Sequence, residues 1–251
     1  MKINILFPVL NEHKRLRPGI EKTVSYMKRY TAKHPDVSYV CTIVDNGSDD
    51  DTPDIAGALE KEHPGVVKYI RIEERGVGIA FRTGVEQNDA DIVGYMDIDL
   101  STDIRNLGKS IQLFKKYDNL EYINGTRFSR RSKTIGRKCY RKITSAGLVL
   151  LLKICLGMKA TDGICGFTFM RKSVAETLAR EAGDDKGWFY MIELLLRAER
   201  NGVRIKDLPV VFTENYDTTV NMKKTIYNYL VNIHRLRRTF KVEDKDRRRH
   251  A

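Results

Sequence analysis

Two segments decide the fold of this chain: INILFPVLNE at residues 3–12 and VSYVCTIVDNGSDDD at residues 37–51. Each begins with a continuous apolar run, at residues 3–9 and 37–44, and ends in polar residues. Such a run is typical of a strand that is buried on both faces, as in a parallel sheet. Residues 19–30, between the runs, have apolar side chains at helical spacing. The pattern predicts a strand, a crossover helix and a second, parallel strand.

The same alternation continues to residue 96. Helices are predicted at 52–62 and 80–87, and strands at 66–72 and 91–96. Four strands joined by three crossover helices indicate an α/β fold with a mainly parallel central sheet flanked by helices.

The second half of the chain is less regular. Strands are predicted at 122–124, 167–170 and 203–212, and helices at 104–117, 143–156, 188–201 and 222–240. No linker or internal repeat separates the halves. We expect one domain over residues 1–220, with residues 221–251 forming an amphipathic helix and a basic tail that packs on that domain or extends from it.

Composition excludes several classes of protein. The chain has 251 residues, of which 41% are hydrophobic and 9% aromatic, which is too apolar for a disordered chain. The longest uncharged stretch, residues 143–152, is about half of the ~20 residues that a membrane-spanning helix needs. Four cysteines lack paired metal-ligand spacing, which favours reduced thiols. We therefore expect a cytoplasmic protein.

The net charge of +12 predicts an anionic partner. Residues 127–142 contain eight basic residues and no acid, and a second basic cluster fills residues 235–249. Neither cluster has the interleaved aromatics of a base-stacking surface, which argues against nucleic acid as the partner. An anionic membrane surface fits at least as well, because the apolar segment 143–156 follows the first cluster directly and suits a helix in the membrane interface. Burial in the core is the alternative for that helix.

Polar residues follow each strand of the first half. They are PVLNE at 8–12, DNGSDDD at 45–51, RGVG at 75–78 and DID at 97–99. Ligands of an open parallel sheet bind beyond the carboxyl ends of its strands, where these segments meet. The sequence therefore predicts a site at this edge.

Asp97 and Asp99 are two residues apart, so their carboxylates leave an extended chain on the same side. Their repulsion would be relieved by a divalent cation, and oxygen ligands suit Mg²⁺ or Mn²⁺. One alternative is an acidic strand end that caps the next helix through Ser101 or Asp103. Another is the nucleophile loop of a haloacid dehalogenase phosphatase, against which its place after the fourth strand counts.

Asp45 ends the second strand and is placed to accept hydrogen bonds from a base or ribose. Gly76 and Gly78 could let the backbone approach a phosphate. The third glycine of a dinucleotide fingerprint is missing, and the chain has no Gly-Lys-Ser/Thr at this edge. The sequence thus excludes the NAD-binding and Walker motifs.

The first-half motifs together resemble the family 2 glycosyltransferases, inverting enzymes of the GT-A fold. They are FPVLNE at 7–12, VDNGSD at 44–49, GVGIA at 76–80 and MDIDLS at 96–101. Motifs of the second half resemble the branch that includes dolichyl-phosphate mannose and glucose synthases. They are NGTRF at 124–128, DGICGFTFMR at 162–171, GWFY at 187–190 with ELL at 193–195, and LPV at 208–210.

The resemblance implies roles for individual residues. The donor sugar nucleotide would be held by Pro8, Leu10, Asn11, Glu12, Asp45, Gly76, Gly78 and Asp97. Asp97 and Asp99 would bind Mg²⁺ or Mn²⁺, which offsets the charge of the departing diphosphate. The acceptor phosphate would be bound by Arg127, Arg131 and Arg171. Arg127 and Arg171 could instead face the phosphates of the donor, and a surface ion pair is the alternative for either of these two. Asp99, Arg127 and Glu193 are the candidate catalytic residues.

One position departs from the family pattern. Met191 stands where much of this branch has an aspartate. A base is needed to deprotonate a sugar hydroxyl, but a phosphate monoester is already largely ionised at neutral pH. Met191 therefore either favours a lipid-phosphate acceptor or signals altered activity. Glu193 could substitute as the base, or serve only in helix packing.

These observations predict transfer of a sugar from a UDP- or GDP-sugar to a polyprenyl phosphate by a protein peripheral on the inner face of the membrane. The docking segment would be residues 127–156, and a membrane-protein partner or a homo-oligomer is compatible with it. One rival is transfer to a saccharide hydroxyl in capsule or cell-wall synthesis. The other is a non-catalytic subunit that docks on a membrane complex or nucleic acid.

Overall fold

The computed structural model describes residues 1–215 and 222–249, with side chains described for 1–215 and 225–249. The strands are β1 Lys2–Val9, β2 Ser38–Asn46, β3 Val67–Ile72, β4 Ile92–Met96, β5 Tyr122–Thr126, β6 Lys133–Ile135, β7 Phe167–Arg171, β8 Ile205–Pro209 and β9 Val211–Thr213. The helices are α1 Leu16–Lys33, α2 Thr52–Glu62, α3 Val77–Glu86, α4 Arg105–Lys116, α5 Cys139–Leu156, α6 Lys172–Glu181, α7 Phe189–Arg200 and α8 Met222–Arg249.

A seven-stranded sheet with the order β3-β2-β1-β4-β7-β5-β8 forms the centre of the molecule. Strands β3, β2, β1 and β4 are all parallel, which confirms the prediction from the first half of the sequence. Pro8 pairs with Val44, and Val9 pairs with Asp45. This register brings the polar segments after β1 and β2 to the same edge of the sheet.

Strand β7 runs antiparallel to both of its neighbours, β4 and β5, while β5 and β8 are parallel. Its first residue, Phe167, pairs with Met96 at the carboxyl end of β4. Its last residue, Arg171, pairs with Ile92 at the opposite end. The sheet is therefore mainly parallel, as predicted, with one strand that reverses direction.

Helices cover both faces of the sheet. Side chains of α1, α2 and α4, such as Ile20, Leu59 and Leu107, share a core with β1 and β2. On the other face α3, α6 and α7 pack together with part of α5. Helix α8 lies against α5 and α7 and buries Ile233 and Leu236.

The second half contains elements that the periodicity missed. Helix α6 follows β7 without an intervening turn residue. The predicted strand at 203–212 is divided at Val210: β8 belongs to the main sheet, and after it the chain leaves that sheet and forms β9, which pairs with the three-residue strand β6. Helix α8 continues to Arg249, beyond the predicted end at residue 240. The proposed boundary between residues 220 and 221 lies outside the described residues and stays a prediction.

Candidate active site

Asp97 and Asp99 lie at the carboxyl end of β4, in the middle of the sheet. Burial, reinforced by the Asp99 carboxylate, raises the pKa of Asp97 to about 7. Gly166 packs directly on the Asp97 carboxylate, where any Cβ would collide with it. Asp99 accepts hydrogen bonds from the backbone N–H of Ser101 (2.9 Å) and from its hydroxyl (2.7 Å).

Neither carboxylate caps the following helix. Arg105, where α4 begins, donates its backbone N–H to Oδ1 of Asp103 at 2.8 Å. Asp97 and Asp99 are thus left for another role, and the capping explanation of this segment accounts only for Asp103.

Glu12, at the end of β1, faces the same two aspartates. Burial raises its pKa, and the charge of Asp99 adds to the effect. Arg15 donates to both Glu12 carboxylate oxygens, at 2.6 and 2.8 Å, and its Nη1 lies 4.0 Å from Oδ2 of Asp99. We call these four residues the acidic edge: Glu12, Arg15, Asp97 and Asp99.

The acidic edge sets three carboxylates against one guanidinium. Burial is the main cause of the raised pKa of Asp97, and the repulsion from Asp99 that adds to it is what a bound cation would relieve. An all-oxygen donor set of this kind fits Mg²⁺ or Mn²⁺. Asp97 and Asp99 are therefore suited to the metal role that the sequence predicts for them.

Asp45 is fully buried at the end of β2, and its contacts lie within the chain. It accepts hydrogen bonds from the backbone N–H of Ser48 (2.9 Å), the hydroxyl of Tyr69 (3.1 Å) and Nη1 of Arg71 (3.1 Å). Asp45 thereby ties the loop after β2 to strand β3. Its predicted contact with the donor nucleoside stays a prediction.

The ends of β1 and β2 are joined by polar contacts. Asn11 donates its backbone N–H to the Ser48 hydroxyl at 2.9 Å, and its side-chain oxygen accepts from the N–H of Asp49 at 3.0 Å. Pro8 lies within β1 and Leu10 is exposed just beyond it. The structure thus brings Pro8, Leu10, Asn11, Glu12, Asp45, Asp97 and Asp99 to one edge of the sheet.

Gly76 and Gly78 allow a close approach of the protein's own backbone. The N–H of Gly78 donates to the carbonyl of Lys186 at 2.9 Å. A Cβ on Gly78 would lie 2.6 Å from the carbonyl oxygen of Asp185, and Gly76, at φ +151°, leaves no room for one beside Lys186. The loop before α7 therefore explains both glycines, and their predicted phosphate contact stays a prediction.

Arg127, just after β5, forms a buried ion pair with Asp162. Its Nε and Nη2 donate to the two carboxylate oxygens at 2.8 and 3.0 Å, and the exposed fractions of the side chains are 8% and 0%. Burial disfavours the charge on Arg127, but Asp162 outweighs burial and raises the pKa of the guanidinium. Arg127 also lies over the ring of Phe212, 5.4 Å from its centroid.

Two further arginines, whose place the sequence did not reveal, adjoin this pair. Arg137 lies 6.0 Å from the Phe212 centroid and 3.6 Å from Glu214, and Arg141 contacts Glu214 at 2.5 Å. We call Arg127, Arg137 and Arg141 the arginine cluster. Both new members belong to the basic segment 127–142, but their partner Glu214 is more than 70 residues away, and spacing alone could not connect them.

The arginine cluster adjoins the acidic edge through β9. The N–H of Thr213 donates to the carbonyl of Ser101 at 2.8 Å, and the N–H of Asp103 donates to the carbonyl of Val211 at 2.9 Å. Phe212, on which two of the arginines stack, therefore lies beside the loop that follows Asp99.

Comparison with known proteins identifies the family of the chain. The model of the family "Glycosyl transferase family 2" matches residues 4–179, which include the acidic edge, Arg127 and Asp162. The chain belongs to glycosyl transferase family 2.

Three curated relatives of this family 2 chain are similar over most of its length. Glycosyltransferase AglD of Haloferax volcanii is 26% identical over 226 residues, which cover 90% of this chain and 35% of AglD. Two dolichyl-phosphate beta-glucosyltransferases of Trichomonas vaginalis, ALG5C and ALG5A, are 24% and 26% identical over 87% and 84% of this chain. The chain spans about a third of AglD and 66% of each ALG5 protein.

Solved structures establish the GT-A fold. Glucosyl-3-phosphoglycerate synthase from Mycobacterium tuberculosis, in complex with Mn²⁺, UDP and glucosyl-3-phosphoglycerate, superimposes with a TM-score of 0.62 at 15% identity, covering 92% of this chain and 79% of that one. The mannosyltransferase PcManGT from Pyrobaculum calidifontis, in complex with GDP-Man and Mn²⁺, gives 0.58 at 16% identity, covering 86% and 57%.

Arg131 and Arg171 occupy very different places in the family 2 fold. Arg131 is exposed on the loop after β5. Arg171 lies at the amino end of β4, because β7 is antiparallel, and donates to the carbonyls of Leu120 (2.9 Å) and Asp118 (2.8 Å). The structure does not bring Arg171 to the acidic edge, and its predicted phosphate contact has no support from this position.

Glu193 and Met191 are both buried in α7. Glu193 accepts hydrogen bonds from Nε of Arg197 (2.9 Å), Nη2 of Arg235 (2.6 Å) and the N–H of Gly183 (2.9 Å). Burial disfavours its charge, but these donors outweigh burial and lower its pKa. A carboxylate with this many donors is a weak base, so its contacts favour the packing role over the catalytic one. Met191 packs in the apolar core.

Proposed function

We propose that this family 2 chain transfers a sugar from a UDP- or GDP-sugar to a polyprenyl phosphate, with inversion, at the cytoplasmic face of a membrane. The observation on which the proposal depends is the placement of an arginine cluster beside an acidic edge, joined to it through β9. A site with excess negative charge on one side and guanidinium groups on the other suits two anionic substrates. The relatives named dolichyl-phosphate beta-glucosyltransferases support the acceptor class.

The donor would bind at the acidic edge. Asp97 and Asp99 would hold Mg²⁺ or Mn²⁺, which when bound supplies positive charge to the leaving diphosphate. Asn11, Glu12 and Asp45 stabilise the loops that would surround the nucleoside. The neighbours solved with UDP or GDP-Man and Mn²⁺ support this class of donor.

The acceptor phosphate would bind at the arginine cluster. Its oxygen attacks the anomeric carbon from the face opposite the diphosphate, a new carbon–oxygen bond forms, and the bond to the diphosphate oxygen breaks with its electron pair. The nucleophile is already an anion at neutral pH, so this step requires no proton transfer. The buried Met191 and the paired Glu193 are consistent with a reaction without a protein base.

The outer face of α5 would dock on the membrane. Ile143 and Ile154 are 72% and 73% exposed, and Tyr140 and Leu150 lie on the same face. Helix α8, which contacts α5, adds a second exposed apolar group: Ile226, Tyr227, Leu230 and Val231. Residues 127–156 and 222–242 contain no acidic residue, which suits anionic lipid headgroups. Among the described residues, no helix combines the length and apolar character needed to span a bilayer.

The proposal is tested by incubating the purified chain with labelled UDP- and GDP-sugars, Mn²⁺ and anionic vesicles that contain polyprenyl phosphate. We expect label in the organic phase after solvent extraction, none without Mn²⁺, and about a hundred- to a thousandfold slower labelling with the Asp99→Asn variant. Label in an aqueous polymer would replace this proposal with transfer to a saccharide hydroxyl. If the folded chain binds no nucleotide and makes no product, a non-catalytic docking subunit is the remaining function.

Docking is tested separately by flotation with anionic and neutral vesicles. An Ile143→Ser, Ile154→Ser double variant should float at least several-fold less than the parent protein, because two exposed apolar groups are lost. The matched control is Tyr117→Ser, which removes an exposed apolar residue after α4. Equal loss of flotation in both variants would contradict docking through α5.

A further inference from the structure

The loop at residues 183–187 lies over the first turn of α3. The carbonyl of Lys186 accepts the N–H of Gly78 at 2.9 Å, and Nη2 of Arg82 donates to the carbonyl of Gly183 at 2.9 Å. Lys186 also pairs with Glu74, just after β3. The 183–187 loop therefore forms one wall of the edge at which the donor is proposed to bind.

The same loop leads directly to the neighbourhood of the metal-ligand candidates. Trp188 follows it, and its ring lies 6.4 Å from that of Tyr95. Tyr95 is two residues before Asp97, and its hydroxyl donates to the carbonyl of Cys165 at 3.4 Å. The 183–187 loop thus forms the part of the wall that lies between α3 and the end of β4, and a shift of the loop would move that part.

Two carboxylates, Asp185 within the loop and Glu193 in α7, fix the backbone of the loop. Oδ1 of Asp185 accepts the N–H groups of Gly187 (3.0 Å) and Tyr190 (3.1 Å). Oε1 of Glu193 accepts the N–H of Gly183 at 2.9 Å. The remaining oxygen of each carboxylate accepts a hydrogen bond from α8: Asn232 donates to Asp185 at 2.8 Å, and Arg235 donates to Glu193 at 2.6 Å.

The two α8 residues act as a unit. Nε of Arg235 also donates to the side-chain oxygen of Asn232 at 3.1 Å, so each orients the other. The buried residues Ile233 and Leu236 anchor this turn of α8 in the core. Helix α8 thus presents a rigid pair of donors to the carboxylates that shape the loop.

We propose that Asn232 and Arg235 are positioning residues of the donor site, which act through Asp185 and Glu193 on the 183–187 loop. The inference rests on the proposed function for its donor, but the contact between helix and loop can be tested without it. It assigns the C-terminal helix to the catalytic unit, and it gives Glu193 a role other than that of a base.

The test compares Asn232→Ala and Asn232→Asp with the control Asp244→Ala. Asp244 pairs with Arg200 at 2.5 Å, so its loss also removes an α7–α8 contact but leaves the loop untouched. Hydrogen exchange of the Gly187 and Tyr190 amides should be at least tenfold faster in the Asn232 variants only. The Asp variant should show the larger change, because a second carboxylate beside Asp185 repels it.

Donor binding is then measured by calorimetry with UDP and with GDP, each with Mn²⁺. We expect about tenfold weaker binding in Asn232→Ala and parent-like binding in Asp244→Ala. Arg235→Ala should also weaken nucleotide binding, and Arg235→Lys should retain more of the affinity than Arg235→Ala. In turnover assays the donor KM should rise more than kcat falls, whereas simple destabilisation would reduce the active fraction without changing KM.

The possible failures are distinguishable. If exchange in the Asn232 variants equals that in the Asp244 control, the positioning role is overturned even if nucleotide binds. If exchange rises but nucleotide affinity does not change, α8 positions the loop without affecting the donor, which also overturns the inference. If the parent protein binds neither nucleotide, the proposed function fails, and the donor part of the inference fails with it.

Discussion

The acidic edge and the arginine cluster adjoin each other, but their charges are balanced in opposite ways. The charge of Arg127, in the arginine cluster, also acts on Asp97, but within the acidic edge Glu12, Asp97 and Asp99 face the guanidinium of Arg15. When all of these groups are ionised, two negative charges remain. Those two charges match one divalent cation, so this part of the molecule is suited to bind one.

The arginine cluster supplies its own counter-ions. Asp162 pairs with Arg127, and Glu214 contacts Arg137 and Arg141, which leaves three guanidinium groups against two carboxylates. Its ion pairs are buried and stack on Phe212. One half of the site therefore has most of its charges paired within the protein, whereas the other half has an excess of carboxylates that suits a divalent cation.

The comparison predicts a large loss of stability at the arginine cluster. Arg127→Ala leaves the buried carboxylate of Asp162 without its opposite charge and with only backbone N–H donors, which costs about 3–5 kcal/mol of unfolding free energy. Urea unfolding measures this loss, and Arg131→Ala is the control because that side chain is exposed. A loss below about 1 kcal/mol would mean that the Arg127–Asp162 pair does not stabilise the fold, and the contrast between the two regions would fail.

The opposite result is expected at the acidic edge. Asp99→Asn removes one charge from a repelling group, so the unfolding free energy should stay the same or rise slightly. Turnover should fall by about a hundred- to a thousandfold, since a group that stabilises charge in the transition state is lost. Thermal shift with Mn²⁺ and nucleotide should vanish as well. Asp103→Asn, in the same loop but paired with the exposed Arg105, is the control and should retain turnover.

The close contact between Gly78 and the 183–187 loop should limit which side chains fit at that position. Gly78→Ala would place a Cβ 2.6 Å from the carbonyl oxygen of Asp185, which should cost about 1–3 kcal/mol through overpacking. Gly57→Ala is the matched control, because a Cβ on that helical glycine would meet no atom of the described residues within 4 Å. The added methyl group should stabilise α2 by about 0.5–1 kcal/mol. Similar unfolding free energies for both variants would show that the 183–187 loop can shift to accommodate the added methyl group at little cost in free energy.

The same contrast explains how far the sequence could predict the molecule. Strands β2 and β4 are mainly apolar and lead into polar residues, so local pattern alone located Asp45, Asp97 and Asp99 at one edge. The arginine cluster depends on contacts such as Arg141–Glu214, across more than 70 residues, which no local pattern records. Arg171 shows the same limit, because the direction of β7, not its motif, decides at which end of the sheet that residue lies.

The acidic edge should make the stability of the metal-free protein depend on pH. Burial and the Asp99 charge raise the pKa of Asp97 to about 7, so the folded chain holds a proton there that the unfolded chain has lost above about pH 4. Without metal, this group favours the fold at low pH, and its contribution is lost as pH rises from about 4 to 7. The melting temperature of the metal-free protein should fall over this range more than that of Asp97→Asn.

Metal binding should depend on pH in the opposite direction, because a cation must displace the Asp97 proton. We expect about a tenfold loss of Mn²⁺ affinity when the pH is lowered from 8 to 6. With a pKa of about 7, Asp97 is mostly ionised at pH 8, but at pH 6 only about a tenth of it is, so a proton competes with the cation. Calorimetric titration with Mn²⁺ at both pH values measures the difference, and Asp97→Asn, although it binds more weakly, should show almost none of it. The contrary result is an Mn²⁺ affinity that does not depend on pH in the parent protein. It would mean that the repulsion at the acidic edge is relieved without a cation, most directly by Arg15. The difference in charge balance between the acidic edge and the arginine cluster would then disappear.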